Sequence, residues 1–378
     1  MILEDNSRAS IIAKLYKNIL LREADPKGLK RYIESDLTPQ QIEAELYSSK
    51  EYLEKIQPLL DKLKSERKKL LIFGAYGNGN LGDAIQAKCL AGALNKLMPN
   101  YEIWSSTALP NHYNYPKEKQ LPPWGIKAAQ IIKNFRAIII GGGGLFSHPH
   151  EPLQDAEWAE GIEQPIYIVG VGATKNITHN SKELIKSSAL VTARDNVSYE
   201  AFSEIRSDIR IIRDPVICTA PLTEDSSKSN ATAWIIRGPL SGDHSFIRNQ
   251  IREGDRVICF EPKVDCVLEE LFPEIIYTPT IESFRTAIES SSLVITSRYH
   301  GAILALLSGK KVLGYGDQKI QSLFKEMEQP HLFLKNIHEI NYSLTFNYSE
   351  VRQRILEWRK DFSAEISKIA KEITRSEI

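Results

Sequence analysis

Arg298 and His300, two positions apart in Ser297-Arg298-Tyr299-His300-Gly301, pair a permanent cation with a group that gains and loses a proton near neutral pH. They follow the apolar run at residues 292–296, which predicts a buried strand. They precede a predicted helix from about His300 to Ser308 that closes at Gly309, with the next strand at residues 311–315. A strand end that meets a helix start gathers side-chain cations and free backbone N–H groups at one point, which suits a small polyanion. The same residues equally suit a plain joint in which Arg298 and His300 only cap and pair. Arg237 ends another predicted strand, residues 233–237, and so belongs on the same edge.

A second group of residues lies earlier in the chain. Gly77-Asn78-Gly79-Asn80-Leu81-Gly82 is a literal G-x-G-x-x-G between a predicted strand at 70–74 and a predicted helix at 83–97, with the acidic Glu102 further on. Two details depart from a dinucleotide fingerprint: Gly74-Ala75-Tyr76 lengthens the turn, and two asparagines stand where small residues are usual. Asn78, Asn80 and Asp83 could instead hold sugar hydroxyls, since each hydroxyl both donates and accepts. Asp83 is either the helix N-cap or a residue with chemistry to do. The run from Gly141 to Gly144, with Gly143 and Gly144 at its end, permits close approach of backbone N–H groups to a ligand. His148, His150 and Glu151 invite a metal, but no third ligand follows at a recognisable spacing, so cleft or surface histidines are the better reading. In Arg194-Asp195 the aspartate suits a helix cap, and the arginine either points into a cleft or pairs with an acid.

The elements that must position these residues form a repeating pattern. Strands are predicted at 70–74, 101–105, 136–140, 166–169, 189–193 and 209–212. After a hydrophilic connection at 220–231 they resume at 233–237, 256–260, 275–277, 293–296 and 311–315. Alternation with helices predicts two doubly wound parallel sheets with their loops gathered at one edge. Residues 1–56 are helical in pattern, with breaks at Asp25-Pro26-Lys27-Gly28 and at Thr38-Pro39, and residues 57–69 form a charged linker. Residues 349–378 carry an amphipathic helix with Val351, Ile355, Trp358, Phe362, Ile366 and Ile369 on one face.

Composition sets the outer bounds. At 378 residues the chain exceeds a single ordinary core, and 42% apolar with 25% charged residues is the balance of a soluble globular protein. The 48 basic and 48 acidic residues cancel, so no overall field favours nucleic acid as a partner. Cys89, Cys218, Cys259 and Cys266 lack C-x-x-C spacing, which indicates neither zinc nor a disulfide framework and fits a reducing cytoplasm. No apolar run of about 18 residues occurs. Membrane contact would therefore be peripheral, at the inner face.

Taken together, Tyr76-Gly77-Asn78-Gly79-Asn80-Leu81-Gly82-Asp83, the Gly141 to Gly144 run, Gly170-Val171-Gly172, Ala193-Arg194-Asp195 and Ser297-Arg298-Tyr299-His300-Gly301 resemble the polysaccharide pyruvyl transferase family over roughly residues 70–320. The resemblance implies a GT-B-like fold of two Rossmann-type lobes, an acceptor lobe at 70–222 and a donor lobe at 223–348. It implies transfer of the three-carbon unit of phosphoenolpyruvate, a co-substrate, to two hydroxyls of a sugar in a bacterial surface glycan, with release of phosphate and no further cofactor or metal. On that resemblance Arg237, Arg298, His300 and Gly301 bind the donor. Asn78, Asn80, Asp83, Gly143 and Gly144 bind the acceptor, and His300, Arg298 and Asp83 carry the chemistry. The acceptor is free, nucleotide-linked or lipid-linked. Residues 15–29 and 48–52 also resemble a small helical DUF4214-type module found beside bacterial glycan enzymes. The competing readings are a GT-B glycosyltransferase using a nucleotide sugar, an NAD-dependent oxidoreductase, and a non-catalytic glycan-binding protein.

Overall fold

The computed structural model describes residues 7–64, 66–76, 79–106, 116, 119–121, 129–147, 162–224, 230–238, 244–272 and 274–375. Its amino-terminal part is helical throughout: α1 (Arg8–Leu15) runs into a π turn (Tyr16–Leu20), followed by α2 (Pro26–Ile33), α3 (Pro39–Tyr47), a second π turn (Tyr52–Ile56) and α4 (Gln57–Leu63). The breaks are local chemistry. Asp25 caps α2 by accepting from the Gly28 amide, and Thr38 and Gln41 form a capping box on α3, each cap followed by proline at the first helical position. Ile12, Tyr16, Ile19, Tyr32, Ile42 and Leu46 make a separate small core. Arg8 fastens its edge through the carbonyls of Tyr32, Ser35 and Leu37.

The first lobe contains β1 (Lys68–Phe73), α5 (Leu81–Leu97), β2 (Tyr101–Ser106), β3 (Gln120–Leu121), α6 (Ala129–Ile132), β4 (Ala137–Gly141) and β5 (Ile166–Val171). It continues through α7 (His179–Ser187), β6 (Leu190–Ala193), α8 (Asn196–Ser203), β7 (Arg210–Ile211) and α9 (Pro215–Thr219). Its strands lie in the order β3-β2-β1-β4-β5-β6-β7, all parallel. The second lobe contains β8 (Ala231–Ile235), α10 (His244–Gln250), β9 (Arg256–Cys259), α11 (Pro262–Asp265), β10 (Ile275–Tyr277) and α12 (Ile281–Ile288). Then come β11 (Ser291–Thr296), α13 (Tyr299–Leu307), β12 (Lys311–Tyr315), α14 (Gln318–Glu326) and β13 (Phe333–Leu334). Its parallel sheet runs β10-β9-β8-β11-β12-β13. Both orders reverse at a switch point, between β1 and β4 and between β8 and β11, where open α/β sheets present a crevice beyond their carboxyl ends. The fold is GT-B-like, two Rossmann-type lobes with a helical amino-terminal region.

Alternation along β1 divides the core. Leu70 and Ile72 face the interior shared with the second lobe, and Leu71 and Phe73 face a layer that takes in Leu21, Ile56 and Leu63 of the amino-terminal helices. The last helix, α15 (Tyr348–Arg375), buries Val351, Ile355, Trp358, Phe362, Ile366 and Ile369. It returns from the second lobe to pack on α5 and α9 of the first. Arg359 donates to the carbonyls of Ile217 and Ala220 at the end of α9. Among the described residues no helix is long and apolar enough to cross a membrane.

Candidate active site

The site is built where strands end and helices begin, from both lobes. After β1, the wholly buried Tyr76 donates its hydroxyl to the Gly141 carbonyl, tying this turn to the end of β4. Asn80, extended at φ −81° and ψ 123°, caps α5 by accepting from the Gly82 amide at 2.8 Å. The cap is therefore Asn80 and not Asp83, and the helix starts at Leu81, two residues before the predicted position. Asp83 sits in the first turn of the helix. Beyond β4, Gly142 and Gly143 are both left-handed at φ 77°, which a side chain would strain. That turn brings Gly143 next to Asp83, whose Oδ1 would lie 3.7 Å from a β-carbon placed there.

Across the cleft, β11 ends in Thr296 and hands over to α13 through Ser297 and Arg298. Arg298 is buried, and its charge is answered on the spot: one guanidinium nitrogen donates to Glu261 at 3.1 Å and the other to Asp265. Asp265 also accepts from the Gly238, Phe260 and Glu261 amides at 2.9, 3.1 and 3.0 Å, so this ion pair binds the ends of β8, β9 and β11 together. Arg237 lies at the same edge, its amide held by Ser297 at 3.1 Å, but its side chain is exposed and forms no ion pair among the described residues. Gly301 faces inward, against Thr296 and Ile235.

His300 crosses to the first lobe. Its Nδ1 would stand 2.1 Å from a β-carbon on Gly82, so only glycine at that position lets the ring lie over the first turn of α5. Its Nε2 lies 3.3 Å from Oδ2 of Asp214. Asp214 is fully buried and engaged on all sides. Oδ1 caps α9 by accepting from the Val216 amide at 2.9 Å, and Oδ2 takes the Gln86 amide at 2.7 Å, with Arg194 at 3.8 Å. Burial opposes its charge, yet His300 and Arg194 hold the carboxyl below the usual carboxylate range.

Arg194 ends β6, 3% exposed. It stacks over the Tyr299 ring at 4.6 Å and touches Asp195 at 3.3 Å, while Asp195 caps α8 through the Ser198 amide at 2.8 Å. One of its terminal nitrogens is buried without a hydrogen-bond partner among the described residues. Gly172 makes room for it, since a β-carbon there would lie 2.5 Å away. Lys319, at the start of α14, brings Nζ to 3.1 Å from where Gly144 would carry a β-carbon. Burial, with Arg194 beside it, lowers the Lys319 pKa, while Asp317, Asp83 and Asp195 pull the other way. Arg194 and Lys319 thus border the Gly142–Gly144 turn with Asp83 beside it, and His300 lies over the first turn of α5 at Gly82, next to Asp83 in sequence.

The predicted residues divide accordingly. His300, Asp83, Gly143 and Gly144 come together at the cleft, Arg298 is taken up by carboxylates, and Arg237 stands apart. Asn78, His148, His150 and Glu151 lie outside the described residues. Of the first lobe's aromatics, Trp104 packs on Phe135 and Phe146 on Phe202, within its core. Lys319 and the part played by Asp214 are new. The signal for Lys319 is a strand followed by Gly316 and the capping Asp317, which opens a helix beyond β12 just as α13 opens beyond β11.

A family model described as polysaccharide pyruvyl transferase matches residues 80–318. No curated relative matches the chain. Solved structures similar to it include a UDP-GlcNAc 2-epimerase from Methanocaldococcus jannaschii, 11% identical, covering 82% of this chain and 99% of that one at a TM-score of 0.47. A putative UDP-N-acetylglucosamine 2-epimerase from Listeria monocytogenes is 11% identical, covering 80% and 91% at 0.48. The lipopolysaccharide outer core galactosyltransferase WaaB is 11% identical, covering 82% and 100% at 0.46.

Proposed function

Because the chain belongs to the polysaccharide pyruvyl transferase family, we propose that it moves the pyruvyl unit of phosphoenolpyruvate onto two hydroxyls of a glycan sugar, forming a cyclic ketal and releasing phosphate. One observation carries this reading. Arg194, with a buried terminal nitrogen that lacks a hydrogen-bond partner among the described residues, stands with Lys319 at the Gly142–Gly144 turn while His300 lies over the first turn of α5, and the three suit a carboxylate and a phosphate on one small frame. In this reading the donor ligands are Arg194, Lys319 and His300. Arg298 acts on them from behind, fixing the joint that aims His300, and Arg237 has no part in the chemistry.

The residues present suit both halves of the reaction. His300 gives a proton to the methylene carbon, and the electron pair of the double bond forms the new C–H bond. The cation left at the central carbon takes the first acceptor hydroxyl, with Asp83 as the group that receives its proton. Phosphate departs with the electrons of its C–O bond, and the second hydroxyl closes the ketal. Asp83 passes the first hydroxyl's proton to the departing phosphate, and the second hydroxyl's proton restores His300, so both groups end as they began. Asn80 and Asp83 lie on the acceptor side of the turn, and the sugar presents its hydroxyl pair there, free or carried on a lipid or nucleotide.

The test is incubation of the purified chain with phosphoenolpyruvate and a panel of sugar acceptors. Phosphate should appear, and the acceptor should gain the mass of pyruvate less one water. Consumption of a nucleotide sugar in place of phosphoenolpyruvate would overturn the donor assignment.

A further inference from the structure

His300 has two ring nitrogens, and the structure distinguishes them. Nε2 meets Asp214 Oδ2 at 3.3 Å, whereas Nδ1 lies over the first turn of α5 at Gly82 and has no hydrogen-bond partner among the described residues. An ionised carboxylate can only accept, so the nitrogen facing Asp214 must carry a proton in either charge state of the ring. Asp214 has no freedom to turn away. Oδ1 is committed to the amino end of α9, and Oδ2 is fixed by Gln86 from α5 at 2.7 Å.

We propose that Asp214 is a positioning residue for this reaction: it grips His300 by Nε2–H and so makes Nδ1, beside Gly82 in the first turn of α5, the nitrogen that passes the proton. The inference rests on the pyruvyl transfer reading. In the step it describes, the Nδ1–H bond breaks as a C–H bond forms at the methylene carbon of phosphoenolpyruvate, and Nδ1 later regains a proton from the acceptor hydroxyls. Because Asp214 belongs to the first lobe and His300 to the second, the ring is aimed only when the two lobes are together. The groups around the pair are Arg194 from β6, 3.8 Å from the same carboxylate oxygen, and Tyr299 from α13, whose ring is 5.3 Å from His300. Cys89 and Cys218 act on Asp214 from α5 and α9, and burial pushes both thiols up and keeps them neutral. Asp83, in the same first turn of α5 as Gly82, and Lys319 border the Gly143–Gly144 turn.

The first measurement needs neither a variant of Asp214 nor a substrate. In the intact chain with nitrogen-labelled imidazole, His300 is identified by its loss in His300→Ala. The neutral ring should carry its proton on Nε2, and a ring protonated on Nδ1 would overturn the inference. The second measurement is kinetic. Asp214→Asn keeps an oxygen for the α9 cap but loses the acceptor for His300. It should lower kcat about 10²-fold, leave KM for phosphoenolpyruvate within about threefold, and move the alkaline limb of kcat to lower pH. In a His300→Ala background it should add no further loss. An unmoved limb, or equal losses in both backgrounds, would mark Asp214 as merely structural. Phosphate release together with the Nδ1–H tautomer overturns this inference alone. The expected tautomer without phosphate release from any acceptor overturns the reading of the reaction, and the role of Asp214 with it.

Discussion

Alanine at Gly82 would place a methyl carbon 2.1 Å from His300 Nδ1, 2.3 Å from Cγ and 2.7 Å from Cβ. Carbon and nitrogen atoms in ordinary contact stand about 3.5 Å apart, so the ring would have to retreat by roughly 1.4 Å. It has nowhere near to go, since Asp214 holds its far edge and Tyr299 packs beside it. A misplacement of about 1 Å costs on the order of 10²-fold in a positioned reaction, and the loss should fall on kcat. Stability should respond differently. Alanine in place of glycine within a helix gains about 1 kcal/mol, while forcing a group into packed space costs about 1–3 kcal/mol, so the net change is small. Steady-state phosphate release and a thermal melt on the same preparation separate the two effects. A Gly82→Ala protein with near wild-type kcat would refute the placement of His300 at the reacting centre.

Three further outcomes follow from the same geometry. Arg298→Ala leaves Asp265 buried without its cation and should cost about 3–5 kcal/mol in denaturant unfolding, and Arg194→Ala, which strips a buried cation from beside Asp195 and Asp214, should lose stability along with turnover. Lys319→Met should raise KM for phosphoenolpyruvate. Because burial lowers the Lys319 pKa, the wild-type protein should lose donor affinity as pH rises through a midpoint below the usual lysine value of 10.5, and Lys319→Met should lack that limb. The sign for stability is opposite: between the folded and unfolded midpoints the unfolded chain binds the extra proton, so wild-type stability rises with pH there and the methionine variant should not show the rise. Trp358→Ala empties a buried site on α15 under Arg213, 4.8 Å from the ring, and should cost about 3–5 kcal/mol by calorimetry.

Much of the scaffold was legible because each buried strand is a short apolar run closed by glycine or charge. The strands Ile275–Tyr277 and Lys311–Tyr315 begin and end where their side chains said they would, and the stripe on α15 is the buried one. The two-residue strands β3 and β13 carry no periodicity and escaped. At the site, position was legible and pairing was not. The Arg298 joint could be placed at the ligand edge, but its partners Glu261 and Asp265 come from a different strand-to-helix turn, far off in sequence. Both Asn80 and Asp83 are good capping residues, and only the extended backbone at Asn80 decides between them. Asp214, two residues past the predicted strand at 209–212 and just before Pro215, gives no sign in sequence of the histidine it meets.

The return of α15 to the first lobe sets an order of events for a growing chain. During synthesis the first lobe's sheet emerges early, yet the side of α5 and α9 that α15 will cover stays bare until the final helix is made. In the interval that apolar surface is open to chaperones and to other nascent chains, and a ribosome stalled anywhere in the second lobe would hold a first lobe that cannot yet finish folding.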